Sequence, residues 1–77
     1  MPAAVLQRIA AIPPDDVDRK RKAVRVFLES ALLKEFGEGI VHDSAFPAMV
    51  EAVQQQLQED PQLARAADQL GDLLLSA

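Results

Sequence analysis

The sequence predicts an all-α protein, a small antiparallel bundle of three to four helices forming one domain over residues 1–77. Three observations carry that expectation. Apolar residues recur every three or four positions in four separate stretches, and no stretch alternates as a strand would. Proline or glycine marks each joint between them, at Pro13-Pro14, Gly37 to Gly39 and Asp60-Pro61. The joints are short, as in antiparallel helical neighbours.

The first stretch, residues 2–12, brings Val5, Leu6, Ile9 and Ile12 to helical spacing, with Pro2 acceptable at a helix start. About eleven residues are too few for a stable isolated helix, so this one needs a docking surface. Pro13 and Pro14 end it, because the residue before a proline is driven out of the α region.

The second stretch, residues 15–37, is long enough to be the spine of the domain. Asp15 is its predicted N-cap, and Asp16 and Asp18 fall where the helix dipole favours negative charge. On a period of 3.6, Val17, Val24, Phe27, Leu28, Ala31 and Leu32 share a broad face. Val26 and Leu33 lie on nearly the opposite side with Ser30 between them. A helix apolar on two sides needs two neighbours. The second strip therefore reads as a partner surface, which Leu73 and Leu75 extend from the C-terminal end, with the alternative that the first helix covers it.

Either Gly37 or Gly39 can close this helix in the left-handed conformation, and Gly39, followed by the apolar Ile40, fits that better. Gly37 and Gly39 do not make a nucleotide loop, since no strand precedes them. His42 has no second histidine near it for a metal site and no third group to orient it as a base for Ser44; a partly exposed loop histidine is expected.

The third stretch, residues 44–59, has Ser44 as predicted N-cap, with Phe46, Val50, Val53 and Leu57 as its apolar stripe and Met49 beside it. Glu51, Gln54, Gln55 and Gln58 are expected to face water. The fourth, residues 61–76, follows the clearest punctuation in the chain, Asp60 as N-cap and Pro61 at the first helical position. Its stripe is Leu63, Ala66, Ala67, Leu70 and Leu74, widened by Leu73, with Leu75 pointing elsewhere. Gly71 in mid-helix signals either tight packing or simple tolerance.

Composition bounds the function. A chain this short buries only about 60–65% of the surface its unfolded form exposes, so association would stabilise it usefully. The absence of cysteine removes disulfides, thiolate metal sites and cysteine nucleophiles together. The first residues lack the basic-then-apolar order of a signal peptide, and no apolar run approaches the length of a membrane span; the reading is cytoplasmic. The net charge of −4 hides an asymmetry. Residues 1–40 carry a net +1 and residues 41–77 a net −5. That difference can be met inside the fold or between molecules.

Three function classes follow. The leading expectation is a non-enzymatic interaction module, an adaptor, chaperone-like or assembly subunit that presents Val26, Ser30, Leu33, Leu73 and Leu75 to a second copy, as a homodimer, or to a partner protein. No catalytic residue, cofactor or metal is expected, because no nucleophile with its base, no ligand cluster and no phosphate loop can be assembled. The second class is weak nucleic-acid binding through the basic cluster Arg19, Lys20, Arg21, Lys22 and Arg25. Four consecutive helical residues point in four directions, however, and neither tryptophan nor tyrosine is present to stack on bases. The third rests on Asp43-Ser44-Ala45 opening a helix in an acidic, all-helical chain. This resembles the acyl carrier proteins, with Ala45 in place of that family's leucine. The resemblance implies a phosphopantetheine arm on Ser44.

Overall fold

The computed structural model describes residues 3–76 and is an all-α bundle: α1 (Ala3–Ala10), α2 (Arg19–Phe36), α3 (Phe46–Glu59) and α4 (Pro61–Ser76), with a 3₁₀ turn (Glu38–His42) between α2 and α3. Pro2 lies outside the described residues. Helix α2 is the axis, and α1, α3, α4 and the 3₁₀ turn all pack against it.

The joints follow local chemistry, in three places through residues other than those expected. Asp15 does not cap α2. Asp16 instead accepts the Asp18 N–H at 2.8 Å and pairs with Lys22, and the helix begins at Arg19. Val17 is thereby outside the helix and 97% exposed, held on an ordered turn. Gly37 closes α2 rather than Gly39: it alone takes a left-handed φ, +86°, and gives its N–H to the Leu33 carbonyl at 2.8 Å. Ser44 does not cap α3: the helix begins at Phe46 without a side-chain cap, and in the turn before it Asp43 accepts the Ala45 N–H at 2.9 Å. Asp60 matches expectation, its Oδ1 accepting the N–H groups of Gln62 at 2.9 Å and Leu63 at 3.3 Å.

The core lies on both sides of α2. On one, Ala23 and Val26 meet Val5 and Ile9 of α1 and Leu74 of α4, with Ile12, Phe27, Leu70 and Leu75 packed around them. Val24, Phe46 and Val50 are also buried, and Val50 is the largest side chain with no exposure. The second apolar strip of α2 is thus met from within the chain. Val26 is 8% exposed in the cluster that α1 joins, and Ser30 and Leu33 are half-buried. The broad face fades toward its end: Phe27, Leu28 and Leu32 are half-buried and Ala31 is exposed.

Helix α4 is rotated from its expected face. Leu74 and Gly71 are buried, Ala64, Ala67, Leu70 and Leu75 are half-buried, and Leu63, Ala66 and Leu73 are exposed. The cause is the crossing with α2. A Cβ at position 71 would lie 2.9 Å from Lys20 Cβ, 3.2 Å from its carbonyl oxygen and 3.3 Å from its Cα. Glycine lets the two backbones touch, which puts the Gly71 side of α4 inward and turns Leu73 outward.

Candidate functional site

The charged residues explain what becomes of the basic cluster. Lys20 reaches from α2 to both Asp68 (3.2 Å) and Asp72 (3.1 Å), which flank Gly71 on α4. Arg21 (2.6 Å) and Arg25 (2.9 Å) converge on Glu51 of α3, and Arg25 also reaches Glu29 at 3.4 Å. Arg8 of α1 meets the same Glu29 at 3.1 Å. Three of the six acids in residues 41–77, Glu51, Asp68 and Asp72, are thereby paired with cations of residues 1–40, so the charge difference between the halves is met in part inside the fold. Of the five residues in the cluster, Arg19 alone makes no ion pair among the described residues, and its Nε is buried without a hydrogen-bond partner.

These contacts shift protonation. The hydrogen bond from Lys22, with a second from the Asp18 N–H, holds the Asp16 carboxyl below its ordinary 3.8. Hydrogen bonds to Asp72 and Asp68 raise Lys20 above its ordinary 10.5, and the Asp16 contact does the same for Lys22.

Beside the α2–α4 crossing lies an open cleft of ≈ 880 Å³, lined by the start of α2 with its preceding turn, the end of α3, and α4. Val24, Leu57, Ala64, Ala67 and Leu75 give it apolar surface; Asp16, Asp18, Arg19, Lys20, Asp68 and Asp72 give it a mixed-charge rim. Val17 stands at its lip. Gln54 also lines it, and is the one buried polar residue among those described, at 4% exposure. Its Nε2 donates to the Arg21 carbonyl at 3.0 Å while its Oε1 is buried with no partner. Gln54 was expected on the water-facing side of α3. It is drawn inward where α3 crosses the start of α2, because the amide can reach the Arg21 carbonyl. A buried acceptor left unmatched is costly, and such groups mark places where an extra constraint acts.

The residues expected to form a partner surface are not brought together as one. Val26 is in the core, Ser30 and Leu33 are half-buried, and Leu75 is half-buried against the cluster it was expected to avoid. Leu73 is open, at 68% exposure. Ser44 is exposed in the turn ahead of α3, and His42 is exposed in the 3₁₀ turn. Among the described residues, no three His, Cys, Asp or Glu side chains are grouped to hold a metal ion, and no helix is long and apolar enough to cross a membrane. The cleft had no signature in the sequence; its one legible trace is the pair of small residues Ala64 and Ala67 three apart on α4.

No known family matches the chain, and no curated protein or solved structure is significantly similar to it.

Proposed function

We propose that the protein is a non-enzymatic interaction module acting in the cytoplasm, and that its working surface is the cleft between the start of α2, the end of α3 and α4. The observation that carries this reading is the cleft itself. It is open, and its lining combines apolar side chains with charged ones of both signs, the combination that receives an amphipathic segment. The strip of Val26, Ser30 and Leu33 offers less surface, because Val26 is buried in the cluster that α1 joins and Ser30 and Leu33 are half-buried.

The test is photo-crosslinking from the floor of the cleft. A photoreactive residue at Ala67 is expected to give a defined adduct with a protein, lost when Ala64→Arg fills the cleft. The solvent-facing Gln69 on the same helix is the control. Equal adducts from Ala67 and Gln69, or an adduct indifferent to Ala64→Arg, would refute the cleft as a docking surface.

A second reading keeps Ser44 as a carrier serine. It is supported by the exposure of Ser44 in the turn ahead of α3, where Asp43 accepts the Ala45 N–H and Ser44 is not the cap of the helix. Intact mass after incubation with a phosphopantetheinyl transferase and coenzyme A decides it: the added arm must appear and must vanish in Ser44→Ala.

A further inference from the structure

We infer that the occupant of the cleft is a non-helical peptide segment of another protein, held by its main chain through Gln54 and carrying an aliphatic and a basic side chain. This rests on the cleft being a docking surface and goes further by giving the chemistry of what docks.

The first argument is the hydrogen bonds left unmade. Among the described residues, the buried side-chain polar atoms without a partner are Gln54 Oε1 and Arg19 Nε, and both residues line this one cleft. Gln54 is 4% exposed, and its Nε2 is already committed to the Arg21 carbonyl, so what it lacks is a donor. Arg19 lacks an acceptor. It is half-buried and also borders a smaller recess of ≈ 110 Å³ beside Leu74, so Gln54 is the more specific of the two. A main-chain peptide unit offers one donor and one acceptor. In a helix both are spent internally, whereas an extended or irregular segment has them to give. A purely apolar occupant would leave both atoms as they are. In the free chain the Gln54 oxygen is closed to solvent; the terminal torsion of a glutamine is soft, so an incoming N–H can draw it out.

The second argument is charge. The lining holds four carboxylates, Asp16, Asp18, Asp68 and Asp72, against three cations, Arg19, Lys20 and Arg21. The partners just outside it cancel, Lys22 on Asp16 and Glu51 on Arg21. One carboxylate is left over, with Asp68 and Asp72 sharing the ammonium of Lys20 and Asp18 making no ion pair among the described residues. A basic side chain on the segment meets that surplus, and the net charge of −4 on the whole chain favours its approach. Between the charged walls Val24, Leu57, Ala64, Ala67 and Leu75 offer contact to an aliphatic side chain.

The test starts from a random peptide library displayed on phage and selected on the full chain. The selected sequences are expected to share an aliphatic residue and a Lys or Arg, and a fluorescent peptide made from them to bind with a Kd of about 10–100 µM by anisotropy. Ala64→Arg is expected to abolish that binding. Each peptide N–H is then replaced in turn by an ester oxygen. One replacement is expected to cost about tenfold or more on the unmodified chain and less than about twofold on Gln54→Leu, whose fold far-UV circular dichroism checks. Peptides that are lost with Ala64→Arg but tolerate every ester equally on both chains overturn the main-chain pairing and leave the cleft standing as a docking surface. Self-association of the unmodified chain in sedimentation equilibrium, abolished by Ala64→Arg, makes a second copy the occupant and overturns the inference. Absence of any peptide binding below about 1 mM overturns it as well; if the photoreactive residue at Ala67 then gives no specific adduct, the docking reading falls with it.

Discussion

Gly71→Ala gives the sharpest test of the fold, because two effects of opposite sign meet there. In a mid-helix glycine facing open space, an added methyl stabilises by about 1 kcal/mol through helix propensity. At 71 the new carbon would fall 2.9 Å from Lys20 Cβ and 3.2 and 3.3 Å from the Lys20 carbonyl oxygen and Cα. Carbon atoms prefer roughly 3.5–4.0 Å, and none of these neighbours is the free end of a flexible chain, so α4 must move off α2. Overpacking of this kind costs about 1–3 kcal/mol. The separation also disturbs Leu74 and Ala23 beneath the crossing and the reach of Lys20 to Asp68 and Asp72. The expected net effect is a loss of about 1–2 kcal/mol, or roughly 5–15 °C in midpoint for a domain of this size. Urea and thermal unfolding followed by far-UV circular dichroism measure it. The other two glycines calibrate the result. Gly39→Ala meets nothing within 4 Å and is expected to be close to neutral, whereas Gly37→Ala, at φ +86°, should cost about 1–2 kcal/mol from backbone strain. If Gly71→Ala stabilises the protein by about 1 kcal/mol, as an open helical position would, the close α2–α4 crossing is wrong.

Four further outcomes are expected. Val50→Ala, at the largest side chain with no exposure, should cost about 2–3 kcal/mol in urea unfolding; a loss below about 0.5 kcal/mol would place the α2–α3 core elsewhere. Gln54→Leu removes a buried amide with one unmatched oxygen and should be neutral or stabilising by up to about 1 kcal/mol; a clear loss would mean that the bond to the Arg21 carbonyl outweighs the orphaned acceptor. Val26→Asp should unfold the chain, since α1 covers that position; a folded variant that merely alters association would restore Val26 to the surface. The pH profile of the urea midpoint should have two shoulders. Asp16 has a depressed pKa in the folded state, so its contribution is present above about pH 3.8 and is lost as pH falls through the lower folded value. Lys20 and Lys22 have raised values, so theirs is present below about pH 10.5 and is lost as pH rises through the higher folded ones. An acid shoulder unchanged in Asp16→Asn would remove Asp16 from this account.

The fold class, the four helices and the Asp60 cap were legible in the sequence, because 3.6-residue spacing and capping chemistry are local. Three joints differ from the local expectation by a residue or two: Asp16 rather than Asp15 holds the turn before α2, Gly37 rather than Gly39 closes that helix, and α3 starts at Phe46 after a turn held by Asp43, without Ser44 as its cap. Helix faces were less legible. Periodicity marks two apolar sides on α2 but does not say what meets them, and α1, too short to be stable alone, turned out to dock on Val26.

What the sequence determined by itself, then, is what depends on residues within about a turn of one another: helices, their stops, and the imbalance of charge between the two halves. What only the tertiary structure decided is everything that depends on which helices cross and where. The contact of Gly71 with the Lys20 backbone rotates α4, turns Leu73 outward and sets Asp68 and Asp72 around one lysine. The meeting of α3 with the start of α2 buries Gln54, and the cleft opens alongside. A glycine and a glutamine are ordinary in a helix sequence; their meaning comes from backbones that are distant in the chain and in contact in space.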